Sequence, residues 1–562
     1  MKLWTCVWVV CAAVCVACGQ QPASDEDWLE LDTPQGPVRG RKDPEADLYA
    51  FYNIPYATAP LNENKFKAPL PPPVWTTPFN AVDKKVICPQ IILPMSQPGF
   101  SMEDDCLIAN VFVPNTAKQN LSVLVYIHGG GFVGGYGELY KSKHFLDNKD
   151  MVVVTFNYRL GAHGFLCLGT EAAPGNAGMK DQVALLRWVQ KNIASYGGNP
   201  NDVTIAGYSA GSVSVDLLML SKPAKGLFHR VISESGGNLA VFAMQSNPLE
   251  TAKYEAKKLN FANVDDINAL EEFYKTASWE LLHSDLEFSN MDSTFLFTPC
   301  VERETDDEAF LTESPLSILQ KGNYKKLPML YGFANMEGRM RVPYFEYFKD
   351  LMNIKFLDFL PGDLKFDSEE EKIKVGDEVK KFYFGDKPVS EENILSYVDY
   401  FTDVMISHSM LWAVKLYVEA GHNQIYLYEY SFVDEDTPPV PYTDVRGADH
   451  CAQTVAVMDG QNMTHSDESK VTPALHNMKK IVREIWHNFI KTGKPVPEGS
   501  SLPAWPATSA AGAPYMSLDQ TLELRDEPLL EKRTRFWQDI YQKYYREPIP
   551  PPEPTQKPHV EL

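Results

Sequence analysis

Gly207-Tyr208-Ser209-Ala210-Gly211 decides the reading of this chain. A serine flanked by glycines at this spacing can stand on a tight turn as a nucleophile. The flanking positions must then carry almost no side chain, because the turn crowds the backbone. Just upstream, Asp202-Val-Thr-Ile-Ala206 reads as a short buried strand, and Ser212 to Ser221 reads as a helix. Strand, turn and helix in that order would set the Ser209 hydroxyl at the C-terminal edge of a sheet, beside a helix N-terminus. The five residues alone also fit an ordinary glycine-rich turn, so the rest of the chain must decide.

Working outward, apolar runs of strand length recur at Val123–Ile127, Met151–Phe156, Val203–Ala206, Arg230–Ser233, Pro328–Tyr331 and Ile425–Tyr428. Helical patterns lie between several of them. The clearest is Asp181 to Ile193, with Val183, Leu186, Val189 and Ile193 on one stripe. This alternation predicts an α/β fold whose mostly parallel sheet has helices on both faces. A less regular, acidic, helix-rich stretch from about Leu249 to Ser390 reads as a cap on the same domain. The chain has 562 residues, 44% hydrophobic and 22% charged, which are globular values. Its net charge of −22 argues against a nucleic-acid surface.

Ester hydrolysis by a serine needs a base, a group that orients the base, and N–H donors for the developing oxyanion. His128-Gly-Gly-Gly131-Phe132 follows directly on the strand ending at Ile127. Glycines there let backbone N–H groups approach a ligand oxygen, so Gly130, Gly131 and Ala210 are the candidate oxyanion donors. The base is sought among 12 histidines. His450, in Gly447-Ala-Asp-His450, follows a predicted strand and a glycine turn and falls last in the chain order this fold uses. His163, His229 and His559 read as a core loop, a surface turn and the tail. No metal or cofactor is needed.

The chain resembles the type-B carboxylesterase and cholinesterase family of the α/β-hydrolase fold over nearly its whole length, and most resembles insect members. Phe51-Tyr-Asn-Ile-Pro-Tyr-Ala57, Glu103 to Pro114, Asn157-Tyr-Arg-Leu-Gly161, Gly175 to Gln182, Leu227 to Gly236 and Phe297 to Glu302 carry the resemblance. It implies a single hydrolase domain over residues 20–546 with a helical cap region. It also identifies Glu337, in Tyr331-Gly-Phe-Ala-Asn-Met-Glu-Gly338, as the orienting acid; chemistry alone would not choose it among 74 acidic residues. The implied roles are Ser209 as nucleophile, His450 as base and Glu337 as its partner. Activity is expected to fall as His450 protonates.

The resemblance extends to Phe242, Ser293 and Phe295 as acyl-pocket positions, and to Arg159 with Asp181 and Lys65 with Asp104 as structural ion pairs. Departures are informative. Cholinesterases hold a quaternary ammonium with a tryptophan between the cysteines of the first disulfide, but residues 89–105 contain none. Tyr208 stands where juvenile hormone esterases carry glutamine. Gln453 stands where many relatives have an acid, and is expected to bond to Ser235. A general carboxylesterase on small or medium uncharged esters is therefore expected. The alternatives are a slow-turnover sequestering esterase, a juvenile hormone esterase, or a non-catalytic adhesion relative.

Residues 1–19 read as a secretory signal, with one basic residue before a short apolar run ending in small residues. Five cysteines follow it. Cys88 and Cys106 flank a short loop and are the expected disulfide. At least one of Cys167, Cys300 and Cys451 stays a thiol, and the cysteines of the family's second disulfide are not where relatives have them. Asn120 and Asn462 lie in glycosylation sequons. The proline-rich tail 547–562 ends His559-Val-Glu-Leu562, which resembles an endoplasmic-reticulum retention signal read by a KDEL-type receptor. No membrane span is expected.

Overall fold

A computed structural model describes residues 27–91, 99–283, 290–304, 308–460 and 468–553. The signal, Asn462 and the terminal tetrapeptide lie outside these ranges. Twelve strands form a continuous path through one sheet: β1 Trp28–Thr33, β2 Gly36–Lys42, β3 Leu48–Pro55, β4 Ile108–Pro114, β5 Leu121–Ile127, β6 Met151–Phe156, β7 Gly198–Tyr208, β8 Arg230–Glu234, β9 Met329–Ala334, β10 Ile425–Tyr430, β11 Tyr515–Leu518 and β12 Leu522–Arg525. Their spatial order is β1-β2-β3-β4-β6-β5-β7-β8-β9-β10-β11-β12, with a short strand Phe79–Asn80 beside β2. From β6 to β11 every neighbouring pair is parallel, and the flanking pairs are antiparallel. Both β5 and β6 are buried along their whole length. Strands covered by helices on both faces read as unbroken apolar runs for that reason.

Six of the sequence-predicted strands are present, each as long as expected or longer. The helix predicted at Asp181–Ile193 is α1, Ala177–Asn192, entered from Asn176 in the left-handed region. The predicted helix after Ser209 is α2, Ala210–Leu220, and all eleven of its residues are buried. The acidic region is helix-rich as expected, and β9, at the strand expected over Pro328–Tyr331, runs through it as part of the central sheet. Beyond it come α3 Ile394–Thr402, a π-turn at Asp403–Ser407, α4 His408–Glu419, α5 Ala452–Val457, α6 Pro473–Thr492 and α7 Glu531–Tyr544.

Buried polar links fix the helices to the sheet edge. Arg159 donates from Nε and Nη2 to the Asp181 carboxylate at 2.8 and 2.6 Å, and from Nη1 to the carbonyls of Lys65 and Lys67 at 2.9 Å. Satisfying the fork on all sides is what makes burial of this pair tolerable. Lys65 does not form the expected ion pair. Its ammonium donates to the Ala277 carbonyl and only senses the Asp104 charge.

Cys88 and Cys106 form the expected disulfide. A second bridge joins Cys167 to Cys300, 133 residues apart. No local cue announces it, because its ends approach only when the loop after β6 meets the segment before β9. Asn176 clips the same place, donating to the Cys300 carbonyl and accepting from the Cys300 N–H, both at 2.8 Å. The start of the proline-rich tail lies on the body. Ile549 N–H donates to Ser246 at 3.3 Å, and Arg303 pairs with Glu553 at 3.4 Å. Among the described residues, no helix is long and apolar enough to cross a membrane.

Candidate active site

Parallel strands deliver their loops to one edge, and the candidate residues come from four loops at that edge. Ser209 ends β7 with φ 53° and ψ −125°, a conformation non-glycine residues rarely hold. The crowding is measurable at the flanking glycines. A Cβ on Gly207 would lie 2.3 Å from the Gly211 carbonyl oxygen, and one on Gly211 would lie 2.2 Å from that of Ile127. The turn is held from the next strand, where Ser209 N–H donates to the Glu234 carbonyl at 2.9 Å.

The glycine loop after β5 passes directly over the elbow. A Cβ on Gly129 would come within 3.0 Å of the Ser209 Cβ. Gly130 and Gly131 have φ of 104° and 61°, which glycine tolerates without strain. Their N–H groups donate to no protein acceptor among the described residues. Ala210 is the first residue of α2, so its N–H has no carbonyl one turn earlier to meet. The loop is braced from beneath by His128. Its buried ring stacks on Tyr158 at 4.3 Å and its Nδ1 lies 2.9 Å from the Gly129 carbonyl oxygen. Burial lowers its pKa to about 4, so it is a neutral prop, not a second base.

Glu337 and His450 meet at the same edge. Glu337 is fully buried, accepts from Ala334 N–H at 2.7 Å, and makes a short contact through Oε2 with His450 Nδ1. The His450 side chain is 17% exposed. Two loops are stapled together to make that contact. Met336 N–H donates to Ala448 at 3.1 Å, Ala448 N–H donates to Asn335 Oδ1 at 2.9 Å, and Arg339 donates to the Gly447 carbonyl. After His450, α5 turns back toward the elbow. Gln453 Nε2 donates to Ser235 Oγ at 2.6 Å, the contact expected from sequence.

The Phe242 and Phe295 rings touch at 5.0 Å, so the structure brings these two residues together. Ser293 is fully buried with φ 63°, and its hydroxyl has no hydrogen-bond partner among the described residues. The alternate side chains of this segment, Asp292, Thr294 and Leu296, line a separate groove of about 1080 Å³ that no triad residue touches. Cys451 is a buried free thiol. Burial and the nearby Glu337 and Glu234 carboxylates push its pKa up, away from nucleophilic use.

Sequence reasoning missed Glu234. Its carboxyl accepts from Tyr428 at 2.8 Å and from Thr454 at 2.6 Å. The available signal was a glutamate at the end of the strand Arg230-Val-Ile-Ser-Glu234, which pairs with β7 beside the elbow. One cluster, His144, Asp459 and Glu468, has the donor types of a metal site. Arg483 already pairs with both carboxylates, which neutralises the charge a cation would need.

The profile of the carboxylesterase family matches residues 27–537. Esterase FE4 of Myzus persicae is 31% identical over 85% of this chain and 87% of its own length. Juvenile hormone esterase of Tribolium castaneum is 30% identical over 86% of each chain. Among solved structures, juvenile hormone esterase from Manduca sexta with OTFP covalently attached superposes with a TM-score of 0.81. It is 27% identical, and the match covers 92% of this chain and all of that one. A family profile matched over residues 27–537, with esterases about 30% identical over most of the chain, shows that the protein belongs to the carboxylesterase family and is a carboxylic ester hydrolase.

Proposed function

We propose that Ser209, His450 and Glu337 carry the reaction as nucleophile, base and orienting acid. The observation behind this is the contact between Glu337 Oε2 and His450 Nδ1 at the sheet edge that holds the strained Ser209. Nδ1 occupied by the carboxylate leaves Nε2 to take the serine proton. Ser209 attacks the ester carbonyl, and the N–H groups of Gly130, Gly131 and Ala210 receive the oxyanion. His450 returns the proton to the departing alcohol. Water then hydrolyses the acyl-enzyme by the same groups.

The substrates are small to medium uncharged esters of xenobiotic, lipid-derived or odorant type. The phenylalanines at 242 and 295 offer an apolar surface, and the loop between Cys88 and Cys106 lacks a tryptophan for a quaternary ammonium. The leader at 1–19 and the terminal His559-Val-Glu-Leu562 support residence in the endoplasmic reticulum lumen through a KDEL-type receptor. Asn120 supports a glycan there, since it is exposed at the turn entering β5.

Turnover of a panel of p-nitrophenyl and acetate esters by the protein and by Ser209→Ala tests the mechanism. Loss of at least a thousandfold in kcat is expected in the variant. Undiminished turnover in the variant sinks the mechanism. A stoichiometric burst followed by negligible turnover in the unmodified protein selects the sequestering alternative.

A further inference from the structure

Glu234 touches both halves of the proposed machinery. Its backbone carbonyl accepts the Ser209 N–H, and its side chain accepts from Thr454 on α5, the helix that begins just after His450. The carboxyl is almost completely buried. Tyr428 on β10 donates to it and Trp486 on α6 also reaches it. The titratable groups facing it are Glu337 from the loop after β9, Cys451 at the start of α5, Tyr428 and Tyr430 on β10, and Tyr126 on β5. Gln453, the other polar side chain between α5 and the elbow, brings no charge.

We propose that Glu234 is a positioning residue whose buried carboxylate, bonded to Thr454 on the helix that follows His450, assists the base electrostatically when ionised and falls silent when protonated. Resting on the triad reading above, the proposal follows from a buried charge tied by hydrogen bonds to the Ser209 turn and to the helix after His450. The imidazolium formed in the transition state is stabilised by each buried negative charge nearby, and burial weakens the screening between them. Glu337 acts on the imidazole by direct contact with Nδ1. For Glu234, burial first and the neighbouring Glu337 after it raise the pKa to about 7, while Thr454 and Tyr428 pull it back down. A buried acid titrating there makes its charge conditional on pH. Thr454 and Tyr428 each donate a hydroxyl proton to the carboxylate, so the site accommodates the ionised form.

The pH dependence of kcat/KM for p-nitrophenyl acetate tests this between pH 5.5 and 9. The ratio of the unmodified protein to Glu234→Gln is expected to stay within twofold at pH 5.5–6. It should climb to roughly tenfold by pH 8.5, with its midpoint near 7. Glu234→Asp should recover part of that climb, because it restores a charge. Thr454→Val keeps the carboxyl but removes a donor to its ionised form, so the step in its own profile should move to higher pH. A damaged fold would lower activity by the same factor at every pH. A constant Glu234→Gln ratio, or a Thr454→Val step that does not move, overturns the proposal. Should Glu234→Gln not fold, the Thr454→Val profile decides alone. Undiminished activity in Ser209→Ala would overturn the triad reading itself, a separate outcome from a flat Glu234→Gln ratio.

Discussion

At the residue scale, the elbow is a problem of space before it is one of chemistry. Gly211 touches the carbonyls of Ile127 and His128, the residues that lead into the glycine loop. A methyl group there has only backbone to push against, so it separates loop from elbow. Gly211→Ala is expected to cost about 1–3 kcal/mol in stability. It should also lower kcat/KM by a hundredfold or more, as removal of an oxyanion donor does. Thermal melting and steady-state turnover read the two effects separately. A variant with normal kcat/KM would mean the close contact is unimportant. Ser209 and the glycine loop were legible in sequence because each is a local signal. Glu337 was not, since a lone glutamate has no signature, and only the family resemblance singled it out. Glu234 escaped for the same reason. Its partners, Tyr428 and Thr454, lie about 200 residues away in sequence, and only folding brings them together.

At the element scale, the strands were the most legible part, since two-sided burial makes them uninterrupted apolar runs. Helix α1 showed itself by periodicity, and α2 as the apolar run that follows the glycine turn at Ser209. The π-turn at Asp403–Ser407 was invisible, because it is set by packing between α3 and α4. It delivers His408 into an aromatic box, 4.5 Å from Tyr541 and 6.0 Å from Trp412 between ring centres. Neither ring nitrogen finds a hydrogen-bond partner among the described residues, and burial lowers the pKa to about 3. Below pH 6.5 the unfolded chain binds a proton here that the folded chain refuses. This contribution is therefore complete above pH 6.5 and is lost as pH falls toward 3, at about 1.4 kcal/mol per unit. His408→Phe removes the term. Its melting temperature should drop about 2 °C less than that of the unmodified protein between pH 7.5 and 5. Equal drops would show that His408 does not carry this cost.

At the scale of the whole molecule, one sheet gathers residues from far-apart stretches to a single edge. Order along the chain supplied that edge from sequence: elbow, acid, then histidine. The contact between the chain's distant parts could not be read so easily. The Cys167–Cys300 bridge is the clearest case, since nothing near either cysteine announces the other. The tail divides in the same way. Its first residues rest on the body near Gly169, where Pro551 would meet an added Cβ at 2.8 Å. The proposed retention signal is a property of the intact secretory protein. Deleting residues 559–562 should move most of the protein from cell lysate to medium, followed by immunoblot with a glycosidase-sensitivity check. Equal secretion of the full chain would end the retention proposal.

Both disulfides close within the first 300 residues, whereas the proposed acid and base follow at 337 and 450. During synthesis at about 5–20 residues per second, the 150 residues between Cys300 and His450 take roughly 8 to 30 s to emerge. Oxidative cross-linking of the half that holds Ser209 can thus begin while His450, the proposed base, is still inside the ribosome. The growing polypeptide carries the proposed nucleophile on a tethered scaffold for that interval, and the proposed triad is complete only in the last fifth of translation.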